Sequence, residues 1–96
     1  MTWLELDKEY VWHPYNSLPS KTKILPVIST NKTSIFLETG EVLIDAMSSW
    51  WSAIHGYNHP KLNEALKRQV EIMPHIMFGG LAHEQASLLS KKLVDL

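Results

Sequence analysis

The sequence predicts an α+β fold of a short N-terminal helix, a three-stranded antiparallel meander and two helices, and three observations carry that expectation. Residues 26 to 45 break into β-branched runs separated by turn residues, the spacing of strands in a meander. From Asn58 to Met73 apolar residues recur at three- and four-residue steps, the period of one helical face. A second stripe of the same period follows Gly79-Gly80 and runs to the last residue.

In chain order, residues 1 to 23 carry Trp3, Leu4, Leu6, Tyr10, Val11 and Trp12 and then read WHPYNSLPS. Proline disfavours helix in the residue before it and Asn16-Ser17 suits a turn, so a short helical turn followed by a loop is expected. In PVISTNKTSIFLETGEVLID the breaks are Thr30-Asn31-Lys32 and Thr39-Gly40, turn chemistry that leaves three short strands. Pro60 suits a first helical position, where its missing N–H costs no hydrogen bond. Leu62, Ala65, Leu66 and Val70 form the stripe, and Pro74 disfavours helix at Met73. That is a helix of about three turns. Beyond Phe78-Gly79-Gly80, one face of the last helix is marked by Ala82, Ala86, Leu89, Leu93 and Leu96. No Gly, Asn or Pro closes it. A piece of a larger fold is therefore expected, with the faces of the meander and of the Leu89-Leu93-Leu96 stripe partly uncovered.

Composition narrows the function classes. A chain of 96 residues, 45% hydrophobic and 20% charged, has material for one small folding unit and is too apolar for disorder. Nine Lys and Arg against ten Asp and Glu, a net charge of −1, provide no cationic field for phosphate backbones or anionic lipid, so neither nucleic acid nor membrane is an expected partner. No apolar run approaches the roughly 20 residues that span a bilayer, and MTWLELDKEY places acids where a secretory signal would need apolar residues. A cytoplasmic location is expected. Without cysteine there is no disulfide, thiolate nucleophile or cysteine metal site.

The residues with chemistry of their own give weak local signals. His55 and His59 have the separation of two metal ligands on one helical face, but Gly56 and the Asn58-His59-Pro60 turn oppose a helix there and no third ligand is near in sequence. His59 is expected at a helix start instead. Ser48 and Ser49 lack the Gly-x-Ser-x-Gly elbow that exposes a nucleophilic hydroxyl, which leaves turn or loop hydrogen bonding. Gly79-Gly80 before a helix is half an anion cradle, without the rest of a phosphate-binding pattern. Trp50 and Trp51, taken as extended backbone, face opposite sides, so one of them needs a partner outside a shared core: further chain, another subunit or a ligand. These residues by themselves leave the function open.

Four segments in order carry more: Trp12-His13-Pro14-Tyr15, Asp45-Ala46-Met47-Ser48-Ser49-Trp50-Trp51, Ile54-His55-Gly56-Tyr57-Asn58-His59-Pro60 and Met77-Phe78-Gly79-Gly80. Together they resemble the start of the class III aminotransferases that form diaminopelargonate, the adenosylmethionine-8-amino-7-oxononanoate aminotransferases. The resemblance covers nearly the whole chain, and its specific part is the Ser-Ser-Trp-Trp run with Trp-His-Pro-Tyr upstream. It implies a piece of a fold-type I pyridoxal-phosphate (PLP)-dependent transferase: residues 1–96 as the N-terminal segment, the large PLP-binding domain lying outside, and a homodimer with active sites at the subunit interface. The implied reaction moves the amino group of S-adenosylmethionine to 8-amino-7-oxononanoate, giving 7,8-diaminononanoate on the way to biotin. Tyr15 and Trp50 match positions of the substrate pocket, Tyr15 against the adenine, and Trp51 is a third substrate-binding candidate. The cofactor, pyridoxal 5'-phosphate, is held by a lysine that the resemblance places beyond residue 96, so no catalytic, cofactor-binding or metal-binding residue is assigned here. Two other readings stand beside this one: a piece of another class III ω-aminotransferase, and a non-enzymatic chain that pairs with a separate protein through its aromatic loop.

Overall fold

Thr2 and Glu5 start the first helix by satisfying each other's free backbone N–H groups. Thr2 Oγ1 accepts from the Glu5 amide at 3.2 Å and Glu5 Oε2 from the Thr2 amide at 2.7 Å. Helix α1 (Trp3–Tyr10) accordingly runs for eight residues, longer than the single turn expected. In the computed structural model, which describes residues 1–96, the chain divides into two units, Met1–Pro60 and Lys61–Leu96.

The loop after α1 is held by side chains. His13 Nε2 lies 2.8 Å from the Asp7 carboxylate on the helix, and Trp12 Nε1 donates to the Asn16 carbonyl at 2.7 Å. Asn16 accepts from the Ser17 amide at 2.9 Å and donates to the hydroxyls of Ser20 and Thr22. A segment with two prolines has few backbone donors to pair, and these polar side chains supply what a strand or helix ladder would otherwise provide.

The meander follows the expected pattern: β1 (Val27–Asn31), β2 (Ser34–Leu37) and β3 (Val42–Ile44) pair antiparallel in that order. Two details of register differ from expectation. Strand β1 runs through Asn31, and the turn falls on Lys32-Thr33, with Lys32 at φ +52°. Ile28 is the extra residue of a bulge, since Val27 faces Leu37 and Ser29 faces Phe36. Thr30, Ile35 and Leu43 line up on one face. Leu37, 3% exposed, is the buried hydrophobic residue of the chain.

Helix α3 (Pro60–Ile72) begins at the expected proline, the last residue of the first unit, and stops before Met73, whose amide still reaches the Gln69 carbonyl at 2.8 Å. Helix α4 (Glu84–Val94) is shorter than its apolar stripe: Ala82 and Leu96 lie outside it. The reason is local. His83, its ring stacked on Phe78 with centroids 5.3 Å apart, caps the helix through Nδ1 to the Ala86 amide, and Asp95 closes the other end with both carboxylate oxygens on Lys91 Nζ. Val42 and Ile44 on β3, Leu62 and Leu66 on α3, and Leu89 and Leu93 on α4 are exposed, as expected of uncovered faces. No helix is long and apolar enough to cross a membrane.

Candidate functional site

After β3 the backbone turns against its usual hand. Ser48, Ser49, Trp50 and Trp51 have φ of 48°, 47°, 55° and 69°, so α2 (Ser48–Trp51) is a left-handed turn built without a single glycine. For L-residues each such position costs about 1–2 kcal/mol, because Cβ crowds the following carbonyl. The expectation that Trp50 and Trp51 sit in extended backbone on opposite faces is thereby overturned.

Asp45 supplies what offsets that cost. Its Oδ1 accepts from the Met47 amide at 3.1 Å, and its Oδ2 accepts from the Ser49 amide at 2.8 Å and from the Tyr57 hydroxyl at 2.5 Å. The Tyr57 hydroxyl also meets Ser49 Oγ. The phenol's hydrogen bond is the main reason the Asp45 carboxyl titrates below its ordinary value of 3.8, with the backbone amides adding to it and partial burial opposing. The same bond, with Asp45 as acceptor, raises the Tyr57 phenol above its ordinary 10.0, although Ser49 acts the other way. A depressed carboxyl stabilises the fold above its unfolded pKa and loses that contribution as pH falls through the folded one. A raised phenol contributes below its unfolded pKa and is lost as pH rises through the folded one. The arrangement is therefore intact across the neutral range.

Tyr57 and Asp45 are themselves anchored on the β1–β2 hairpin. Lys32 N–H donates to the Tyr57 carbonyl at 2.9 Å and Tyr57 N–H to the Lys32 carbonyl at 2.8 Å, while Asp45 N–H donates to Thr33 O at 2.8 Å. Asn58 Nδ2 reaches the Thr30 carbonyl at 2.5 Å. Gly56 makes the approach feasible: at φ +77° it passes so close that an added Cβ would sit 3.0 Å from the Lys32 carbonyl oxygen.

The turn presents Trp50 to Tyr15. Their ring centroids are 6.1 Å apart at 83°, an edge-to-face contact within the favourable range for aromatic pairs. Tyr15 is 99% exposed, itself at φ +57°, and Trp50 is 56% exposed, so both keep free ring surface. Tyr15 borders an open groove with Trp12, His13, Pro14, Asn16 and Lys21. Trp50 borders a depression of about 330 Å³ with Ile35, Asp45, Met47, Ser49 and Tyr57. Two of the three candidates from the sequence thus meet. The third does not, since Trp51 is 75% exposed and pairs with no other ring. Asp45 and Tyr57 went unread as site residues, although both lie within the segments that carried the resemblance.

The remaining candidates have other placements. The rings of His55 and His59 stand edge to face at 6.1 Å, and nowhere do three or more His, Cys, Asp or Glu gather to hold a metal ion. Ser49 is held through its amide by Asp45 and meets the Tyr57 hydroxyl through its own, and its carbonyl accepts from the Ser52 hydroxyl at 2.8 Å. All eight lysines are exposed, on loops, hairpin or helix surface.

The left-handed turn carries a direct prediction. Ser48→Gly, at a position whose backbone favours glycine, should stabilise the turn by about 0.5–1 kcal/mol once glycine's extra unfolded-state freedom is subtracted. Amide hydrogen exchange at Trp51 and Ala53, whose N–H groups bond to the Met47 and Ser48 carbonyls, should slow roughly two- to fivefold. Faster exchange at those amides would contradict the left-handed geometry.

Comparison with known proteins places the chain in a family. Residues 17–96 match the family model described as Aminotransferase class-III. The adenosylmethionine-8-amino-7-oxononanoate aminotransferase of Buchnera aphidicola subsp. Baizongia pistaciae is 50% identical over 93 residues, which are 97% of this chain and 22% of that protein. The crystal structure of the adenosylmethionine-8-amino-7-oxononanoate aminotransferase of Methanocaldococcus jannaschii superposes with a TM-score of 0.84 at 32% identity, covering 95% of this chain and 21% of that one. The taurine:2-oxoglutarate aminotransferase of Bifidobacterium kashiwanohense, solved in complex with PLP and glutamate, superposes equally well at 26% identity, over 99% of this chain and 21% of that one. The chain thus spans about a fifth of the length of the relatives it matches. On the strength of a family match over most of its residues and of a shared fold, the chain belongs to the class III aminotransferases.

Proposed function

We propose that this chain is the N-terminal segment of an enzyme that transfers the amino group of S-adenosylmethionine to 8-amino-7-oxononanoate, giving 7,8-diaminononanoate for biotin synthesis. Its contribution is one wall of the substrate pocket. The observation that carries this reading is the edge-to-face meeting of Tyr15 and Trp50, two exposed rings brought together from distant parts of the sequence. An adenine and an aliphatic keto acid both offer apolar faces, and rigid aromatic rings cover such faces at little conformational cost. Fold alone does not choose the substrate, since an aminotransferase acting on taurine superposes as well as one acting on adenosylmethionine. The aromatic residues, and the 50% identity to a relative named for this reaction, favour adenosylmethionine.

In this reading Tyr15 stacks against the adenine, Trp50 sets the pocket's shape beside it, and Trp51 on the next position of the turn lines the pocket where the rest of the enzyme closes over it. Pyridoxal phosphate, held by residues outside this chain, serves as the electron sink of the amino transfer. The complete enzyme works in the cytoplasm as a homodimer with its active sites at the subunit interface. The exposed apolar side chains of β3, α3 and α4 are surface available to the remaining domain and the partner subunit.

The test is to express the in-frame protein that contains this segment and to assay 7,8-diaminononanoate formation. Turnover with S-adenosylmethionine as donor is expected. The 96-residue chain alone should show none, and borohydride reduction with pyridoxal phosphate should yield no single stoichiometric pyridoxyl-lysine. Turnover of the complete enzyme with simple ω-amines but not S-adenosylmethionine would replace this reading with the other class III ω-aminotransferases.

A further inference from the structure

The aromatic pair does not hold itself in place. Trp50 lies inside four consecutive left-handed residues, a conformation that persists only where the surroundings determine it. Beyond the turn's own backbone bonds and the Ser52 hydroxyl on the Ser49 carbonyl, its side-chain supports are the Asp45 carboxylate, the Tyr57 hydroxyl and Ser49. We propose that Asp45, Tyr57 and Ser49 form a clamp that fixes Trp50 at the angle where it meets Tyr15, which makes Asp45 and Tyr57 positioning residues for binding of the amino donor. The inference rests on the reading of Tyr15 and Trp50 as pocket residues and adds to it the groups that set their geometry.

A continuous series of bonds runs from the sheet to the indole. The hairpin carbonyls and amides of Lys32 and Thr33 hold the backbones of Tyr57 and Asp45. Their side chains converge on one carboxylate oxygen, and that oxygen and its partner hold the amides of Ser49 and Met47 on either side of Ser48. Trp50 is the next residue. The clamp groups and Trp50 also border one depression, so the same side chains that hold the turn line the surface beside the ring.

An acid–base role for these groups is the competing idea, and their chemistry opposes it. The Asp45 carboxylate already accepts from two backbone amides and a phenol, which leaves little lone-pair capacity for a substrate proton. The carboxyl is pushed down and the phenol up, away from the neutral range in which a proton carrier works.

The experiment uses the complete, cofactor-loaded enzyme with Tyr57→Phe, Asp45→Asn, Trp50→Ala and the Tyr57→Phe/Trp50→Ala double variant. Tyr57→Phe keeps the ring and removes only the hydroxyl, and Asp45→Asn keeps an acceptor oxygen. Each is expected to raise KM for S-adenosylmethionine about three- to tenfold, the scale of one lost hydrogen bond, with kcat within about twofold and the cofactor absorbance unchanged. If the clamp acts through Trp50, the double variant will be no worse than Trp50→Ala alone. Multiplicative losses in the double variant would overturn the proposal, because Tyr57 would then act independently of the indole. An unchanged KM in both clamp variants, with a raised KM in Trp50→Ala, would overturn the clamp and leave the pocket standing. Unchanged KM in Trp50→Ala itself would remove both. Loss of soluble, cofactor-loaded protein in both clamp variants would assign Asp45 and Tyr57 to general stability and likewise overturn the proposal.

Discussion

Trp50→Ala and Tyr15→Ala in the complete enzyme should each lower kcat/KM for the amino donor roughly ten- to hundredfold or more while the cofactor absorbance persists. The magnitude follows from the loss of one aromatic contact with the substrate, on the order of 1–3 kcal/mol. Removing either ring also removes the edge-to-face pair, so the surviving ring loses its neighbour and the two substitutions should be less than additive. A residue that merely packs a core behaves differently: Trp→Ala there costs about 3–5 kcal/mol of stability, and soluble yield, cofactor content and activity fall together. Trp51→Ala is expected to have the smaller kinetic effect, since no ring meets it. The comparison requires melting temperature, cofactor occupancy and kcat/KM for all three variants. Unchanged kinetics for Tyr15→Ala and Trp50→Ala in stable, loaded protein would refute the pocket assignment.

The parts of this fold that were legible in the sequence are those set by local chemistry. Pro60 and Pro74 bracket α3 because each constrains the backbone within one residue of itself, and the β-branched runs with their turn residues marked all three strands. Thr2 and Glu5 carry a readable capping signal three residues apart, and it accounts for the extra length of α1. The start of α4 was less legible, since the stripe from Ala82 has the right period but His83 and Phe78 decide where the helix begins through a ring contact that periodicity does not encode. The hand of the Ser48–Trp51 turn was not legible at all. No glycine or asparagine marks it, and what sustains it is the Asp45 carboxylate and a tyrosine twelve positions further on. Nothing local marks Tyr15 and Trp50 as site residues; the segments around them resemble a family, and their meeting depends on that same turn.

Gly56→Ala is expected to be the most damaging small substitution outside the aromatic pair. Two penalties coincide at this residue. Its φ of +77° costs an alanine about 1–2 kcal/mol, and the new Cβ would stand 3.0 Å from the Lys32 carbonyl oxygen and 3.3 Å from its carbonyl carbon and Cα. All three are backbone atoms of a hairpin turn, so the strand end cannot swing aside as a flexible side chain could. The adjustment falls on the paired bonds between Lys32 and Tyr57, each worth about 0.5–1.5 kcal/mol, and the sum is roughly 2–5 kcal/mol. Gly40 is the control. It has φ +90° but open space around it, so Gly40→Ala should show the backbone cost alone, about 1–2 kcal/mol. The difference between the two variants in urea midpoint isolates the close approach. Because Tyr57 follows Gly56 directly, the displaced backbone also carries the phenol away from Asp45, and Gly56→Ala should raise KM for S-adenosylmethionine at least as much as Tyr57→Phe. Equal stability and equal kinetics for Gly56→Ala and Gly40→Ala would mean that the Gly56 contact with the hairpin does not organise the site.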